Sequence, residues 1–457
     1  MRTKFSYIRK IVIRWNQVYR RGSLKVKNGR LYRLASLENT KVLLEDSSGK
    51  YDFKGADPFS WECKGEKGGI VFSLEPEIQG KKAPEFRISL DDNSFSFSLA
   101  DFKGKGSIFF LEDSVEVKLI SPAKAIAKIS PESALAGSVE NIRMEIKPRL
   151  MINKSGSILL ATSPRTDWRK NEISISCLKS KQAKFKLVDD DFFSIREYGY
   201  FALGSSSTAV FFQLSEGYVR KDDSIIIEFN NSVLQSFIGD GIIFDVFIDY
   251  EGDKIYRRLN VPLKITLLPN TMDHFKIICP SVVRPDQNFA IILQGKDRYG
   301  NLLKKLNEQV FFYSNQKIKN LPARWKFKRN NCKIGPLQLK EAGECFIFAG
   351  NSAGDITGKS NPIVCSKQRL NVFWGSMHNH TKESDGNSRP ETLYKFAREN
   401  SHLDFCAISD HDDWITETGW ENIKKTARKN YKENEFITFL GYETCFLKDK
   451  SGPFLRS

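Results

Sequence analysis

Hydrophobic and polar positions alternate through most of this chain. Val261, Leu263, Ile265 and Leu267 interleave with Pro262, Lys264 and Thr266, the two-residue period of a strand with one buried face. Ile225–Phe229, Ile242–Ile248 and Phe289–Leu293 are short apolar runs bounded by Gly, Asn and Asp, and they read as further strands. No long helical period appears between 31 and 366. The pattern predicts a multidomain, mostly β protein of sandwich or immunoglobulin-like modules, divided as 31–135, 136–268 and 269–366. Pro122 to Gly137 and Pro269-Asn270 supply the breaks. Asp297-Arg-Tyr-Gly-Asn301 is a turn signal between strands, Gly300 and Asn301 tolerating positive φ.

The two ends of the chain follow other periods. Phe5, Ile8, Val12, Trp15 and Tyr19 recur at three- and four-residue steps, which predicts a helical arm over 1–30. From residue 370, apolar segments alternate with helical ones. Leu370–His380, Leu403–His411 and Phe436–Thr444 read as strands, and Arg389–Ser401 and Glu417–Glu433 as helices. Ser388 with Glu391 forms a capping-box pattern, and Pro390 falls in the first turn, where its missing N–H does no harm. Short connections between such elements imply parallel pairing, so 367–457 reads as a partial α/β segment.

Charge and cysteines refine this picture. The net charge is +16, yet residues 1–30 hold ten Lys/Arg and no acid. Ten of the sixteen excess charges therefore form a basic arm, suited to docking on the protein, on an anionic membrane surface or on a polyanion. A nucleic-acid footprint over the whole protein is disfavoured. No apolar run reaches membrane-spanning length, and no secretory signal opens the chain. The eight cysteines form no C-x-x-C pair, so reduced thiols in a cytoplasmic protein, peripheral to a membrane if the arm binds one, are the expectation.

The chemistry gathers near the C-terminus. Four of the five histidines lie in the last eighty residues. His378 and His380 are two apart on a predicted strand, so both imidazoles leave the same face. His411 ends the next strand and Glu443 the third, at intervals of 31 and 32 residues (411 − 380 and 443 − 411). One strand-plus-helix unit separates each pair, which puts these side chains along one rim. Asp385, five residues after His380, can fold back over the same mouth. Imidazoles and carboxylates converging there are what Zn, Mn or Fe ions need. Asp410 and Asp412 flank a candidate ligand and could orient His411. His402 reads as a helix C-terminal residue and His274 as structural, while Cys406 reads as core.

Trp374-Gly-Ser-Met-His-Asn-His-Thr-Lys-Glu-Ser-Asp-Gly386, Ser409-Asp-His411 and Gly441-Tyr-Glu443 resemble the first three motifs of the PHP (polymerase and histidinol phosphatase) superfamily. The likeness is to a bacterial subgroup with a long β-rich region before its β/α barrel. It implies a metal-dependent hydrolase of phosphoric esters, with a small molecule or a polymer as substrate and two or three divalent ions in a complete site. His378 and His380 would bind one metal, Asp385 and His411 a second, and Glu443 would adjoin the first. His411 and Glu443 would serve catalysis. The chain ends fourteen residues after Glu443, so the resemblance implies a domain that is C-terminally truncated. Two alternatives stand beside it: an amidohydrolase-type metallohydrolase, or a non-catalytic β-sandwich binding or scaffold protein with a vestigial barrel.

Overall fold

The computed structural model describes residues 9–15, 19, 21–27, 29–42, 59–76, 85–98, 108–112, 115–162, 167–189, 209–253, 255–304, 307–327, 330–368, 371–384, 386, 388–412, 415 and 417–444. They form a mostly β, multi-sheet protein followed by a small α/β unit. No helix among them is long and apolar enough to cross a membrane. Among the described residues, Cys177, Cys279, Cys332, Cys345, Cys365 and Cys406 are in no disulfide.

The N-terminal arm departs from the helical expectation. Arg9–Trp15 and Arg21–Lys27 are strands of an eight-stranded sheet. Arg9–Trp15 is flanked by antiparallel partners at 68–74 and 115–119. Adjacent β-branched residues at 11–13 favour this conformation. Ile11, Ile13 and Trp15 alternate into the core at 0, 0 and 2 % exposure. The three- and four-residue spacing overlapped this two-residue alternation; its members Phe5 and Ile8 lie outside the described residues.

The next two sheets share one core. Strands Val139–Pro148 and Ile225–Val233 belong to a four-stranded sheet, and Ser157–Thr162, Ala209–Glu216 and Ile242–Asp249 to a seven-stranded one. Ile142, Met144 and Ile227 join Ile158, Phe212 and Phe244 in a single buried cluster. Trp168 meets Phe229 and Phe244 edge-on at 5.4 and 5.3 Å. Alternating apolar positions from two facing sheets make this a sandwich. A second sandwich has its own core, with Phe275, Ile291, Val310 and Ile347 against Val283, Cys345 and Ile363.

The 297–301 turn ties the two sandwiches together. Asp297 is fully buried, and its carboxylate accepts hydrogen bonds from the backbone N–H of Asn270 (2.8 Å), Tyr299 (3.0 Å) and Asn301 (2.8 Å). The Asn301 amide also donates to it, at 2.9 Å. Asn301 then reaches across, donating to the Ser236 carbonyl at 2.7 Å and accepting from the Ile238 N–H at 3.1 Å. Asn270 donates to the Ala136 carbonyl at 2.9 Å. A buried carboxylate is tolerated where donors surround it, and here those donors belong to the joint.

The α/β unit has the predicted alternation. Gly375–Ser376, Phe405–Ile408 and Ile437–Leu440 pair in parallel. Helices α1 (Pro390–Glu399) and α2 (Glu417–Asn430) join them. Tyr394, Ala397, Ile423 and Ala427 of the helices pack with Cys406, Ile408 and Phe436. Among the described residues the sheet stops at three strands, and no barrel closes.

The ends of α1 also differ from expectation. Its N-cap is Arg389, with no side-chain capping bond, and Glu391 instead accepts from the Thr426 hydroxyl at 3.2 Å. At its other end the second sandwich supplies the cap. Asn331 donates to the Glu399 carbonyl at 2.6 Å, and Gln294 donates to the Asn400 carbonyl at 2.7 Å. These carbonyls would otherwise lack intrahelical donors.

Candidate metal centre

One residue fixes where the two histidines of the first motif point. The Asn379 N–H donates to the Ser409 hydroxyl at 3.0 Å, and its side-chain amide donates to the Ala407 carbonyl at 2.8 Å. The Ser409 N–H returns a bond to the Asn379 carbonyl at 2.8 Å. With Asn379 directed into the neighbouring strand, the extended chain sends its flanking residues the other way.

Asp410 completes the fixation from beneath. It is fully buried, and its carboxylate accepts from the Thr381 N–H, the Thr381 hydroxyl and the Ser384 hydroxyl, each at 2.5 Å. Gly386 closes the loop with an N–H bond to the Thr381 carbonyl at 2.8 Å. A Cβ at Gly386 would lie 2.2 Å from the His380 carbonyl oxygen, so this approach needs glycine. On the other side, His411 and Glu443 form a parallel bridge between their strands. The Glu443 N–H donates to the Asp410 carbonyl at 3.1 Å, and the Asp412 N–H donates to the Glu443 carbonyl at 2.9 Å.

His378, His380 and Glu443 are thereby brought to one point. His378 Nε2 and His380 Nε2 are 3.0 Å apart, and they lie 3.0 and 2.8 Å from Glu443 Oε2. His411 Nδ1 is 3.8 Å from the same oxygen, and its ring stands edge-on to His380 with centroids 4.5 Å apart. The His380 and His411 side chains are 10 and 18 % exposed, that of His378 70 %. These residues, with Gly386 and Leu393, line a cleft of about 570 Å³.

Electrostatics separate the bases from the acid. Burial lowers the His380 pKa, and the neighbouring His411 reinforces it. Burial pushes the Glu443 carboxyl upward, but the charges of His411, His378 and His380 together hold it below its usual range. A bound cation would need the imidazoles neutral and the carboxylate ionised, and so would displace the protons that otherwise pair these rings with Glu443.

The spacing also fits an ion. Bonds of about 2.0–2.2 Å to a shared zinc-like cation place neighbouring ligand atoms about 2.8–3.6 Å apart. The trio at 2.8–3.0 Å falls in that range. Two imidazole acceptors facing each other repel unless a cation or proton sits between them. The buried Oε2 of Glu443 receives no well-aligned hydrogen bond. His378, His380 and Glu443 form the cluster with ligand geometry among the described residues. His411 borders it, and Asp385 lies outside the described residues.

Other sequence readings find different places. Asp410 holds Thr381 and Ser384, not the His411 ring. His402 has φ 52°, and its Nε2 lies 2.5 Å from Asn331 Oδ1. Burial lowers its pKa, with Lys276 and Lys296 adding to the effect. His274 pairs with Asp273 at 2.9 Å. Trp374 is 61 % exposed and donates to the Ser281 hydroxyl at 2.7 Å. Asn379 and Thr381 were missed as positioning residues. Their signal was present, since polar residues alternate with the histidines in the extended segment that follows Gly375–Ser376.

No family model matches the chain. It is 24 % identical over 206 residues to an uncharacterised protein of Chlamydia pneumoniae, a match covering 44 % of this chain and 33 % of that protein. An uncharacterised Chlamydia trachomatis protein is 22 % identical over 219 residues, covering 47 and 35 %. The match thus spans about a third of the relatives' length (33 and 35 %). Among solved structures, the D00-D0 domain of intimin aligns with 53 % of this chain and all of that one, at 10 % identity and a TM-score of 0.25. The bacterial integrin-binding protein invasin aligns with 76 and 53 %, at 8 % identity and 0.20.

These findings correct the PHP resemblance. No PHP model matches, and the described α/β unit is an open three-stranded sheet. Short motifs at successive strand ends are a property of any β-α-β-α-β unit with polar loop residues, which is why they suggested more than they carry. The phosphoesterase activity and phosphoester substrate fall with that resemblance. Of the alternatives, the described sheets bear out the sandwich architecture.

Proposed function

We propose that this chain is a β-sandwich binding protein whose C-terminal α/β unit holds one divalent transition-metal ion. His378, His380 and Glu443 would be its ligands, with His411 completing the coordination. Zn, Mn or Fe suits a donor set of imidazole nitrogen and carboxylate oxygen. The observation that carries this reading is the convergence of two imidazole nitrogens on the buried, unsatisfied Oε2 of Glu443 at 2.8–3.0 Å. Asn379, Asp410 and Gly386 serve as positioning residues, and a held ion would lock the three strands together at their C-terminal ends.

The sandwiches supply the binding surfaces and the stapled joint keeps them in fixed relation, which suits recognition of another macromolecule. Metal content of the purified chain, measured by plasma mass spectrometry beside a His378→Ala, His380→Ala variant, tests the metal. Near-stoichiometric Zn, Mn or Fe lost in the variant supports the site. A metal-free wild-type chain after dialysis against these ions removes it, leaving the sandwich reading on its own.

A further inference from the structure

The larger sheet of the second sandwich has two unlike halves on its outer face. Its strands run in the order 318–319, 332–339, 289–297, 272–278, 357–359, 347–351, 308–314 and 324–327. The α/β unit covers part of the first half, where Gln294 and Asn331 bond to α1. The second half faces solvent. Val310, Phe312, Ile347 and Ala349 point into the core, so the residues between them point out.

Those outward residues are aromatic and basic. Phe311 and Tyr313 are 42 and 63 % exposed. Tyr313 stacks on Phe348 across the strand pair, centroids 4.7 Å apart and planes 6° off parallel. Lys359 sits 3.9 Å above the Phe346 ring. Arg324 pairs with Phe311 and Lys326 with Gln309 on the outer strand, and both cations are exposed. The remaining outward positions on these strands are Thr357 and Gly350, so no acid interrupts the strip.

Cross-strand stacking stabilises a sheet by itself and accounts for the Tyr313–Phe348 pair. It does not account for a second exposed ring at Phe311, opposite Arg324 and diagonal to Lys326, or for Lys359 over the rings at the other side of the strip. A neutral glycan would ask for carboxylates and amides to meet its hydroxyls, and only Gln309 and Thr357 are available. Rings between cations match a polyanion that carries flat apolar groups, with bases stacking on the rings and phosphates meeting Lys and Arg. Residues 271–366 alone hold fifteen Lys/Arg against seven Asp/Glu, a local basic excess that favours such a partner.

We propose that the strip formed by Phe311, Tyr313, Phe346 and Phe348 with Arg324, Lys326 and Lys359 binds single-stranded nucleic acid. It is a different surface from the metal centre and stands whether or not that centre fills.

The test is fluorescence anisotropy of a labelled twelve-residue oligothymidylate titrated with the full chain at low and rising salt. Phe311→Ala with Tyr313→Ala should weaken binding about ten- to hundred-fold per ring, with the circular dichroism spectrum unchanged. Arg324→Gln with Lys326→Gln leaves rings and core intact. It should flatten the salt dependence by about 1.4 in log–log slope, two phosphate contacts' worth. Heparin, which has charge but no bases, should be insensitive to the ring variants. Three results overturn the proposal: no oligothymidylate binding at low salt, binding that both double variants leave unchanged, or ring variants that weaken heparin as much as oligothymidylate.

Discussion

Removing the Asp410 carboxylate should loosen the first strand of the α/β unit without unfolding the sandwiches. In Asp410→Ala three donors lose their acceptor: the Thr381 N–H, the Thr381 hydroxyl and the Ser384 hydroxyl, each at 2.5 Å in the native site. Hydrogen bonds to a charged group contribute about 1.5–3 kcal/mol each, and a buried donor left bare costs about 1–3 kcal/mol. The hydroxyls can turn to other acceptors. Removing a buried charge also relieves its desolvation cost, which offsets part of the loss. The balance is a local destabilisation of about 2–4 kcal/mol. Since each 1.36 kcal/mol is tenfold, amides around 376–384 should exchange with deuterium about thirty to nine hundred times faster. Asp410→Asn keeps one acceptor and should fall between. Amides of Ile227 and Leu293, in the separate sandwich cores, are the internal control. Unchanged exchange at Thr381 in Asp410→Ala would refute the reasoning, as would equal acceleration in both sandwiches.

Three further outcomes follow from the described contacts. Asp297→Ala should let the two sandwiches reorient, seen as a broadened small-angle scattering profile, while both cores keep their amide protection. Gly386→Ala should displace the loop that crosses the His380 carbonyl and reduce metal uptake, with an unchanged melting temperature for the sandwiches. His402 is held below its usual pKa by burial and the two lysines. The unfolded chain therefore takes up the proton first, and its contribution to stability falls as pH drops below about 6.5. Proteolysis between the second sandwich and α1 should accelerate from pH 7.5 to 5.5, and His402→Gln should blunt that change.

Much of the C-terminal unit was legible because two independent patterns agree there. The strand and helix periods alternate, and His380, His411 and Glu443 fall one unit apart. Which of these residues would meet was not legible. His411 stands about an ångström outside the 2.8–3.0 Å trio, a difference that sequence spacing does not set. The arm at 9–15 misled because Val12 and Trp15 satisfy a helical step while Ile11, Ile13 and Trp15 satisfy a strand step. Only a partner strand on each side decides between them. The strip at Phe311 and Tyr313 was hidden for a related reason. Its alternation is readable, but the register that places Lys359 and Arg324 beside the rings comes from pairing across distant strands.

The capping of α1 from outside bears on how this polypeptide can be cut and recombined. Two carbonyls at the end of that helix find their donors in Gln294 and Asn331, 106 and 68 residues earlier in the chain. A fragment expressed from residue 367 onward would carry α1 with a bare end. A chimera joining this α/β unit to a foreign sandwich would need an amide side chain at each of the two matching places. The seam for a working graft therefore runs ahead of Thr271, before the second sandwich, and not at the loop where the helices begin.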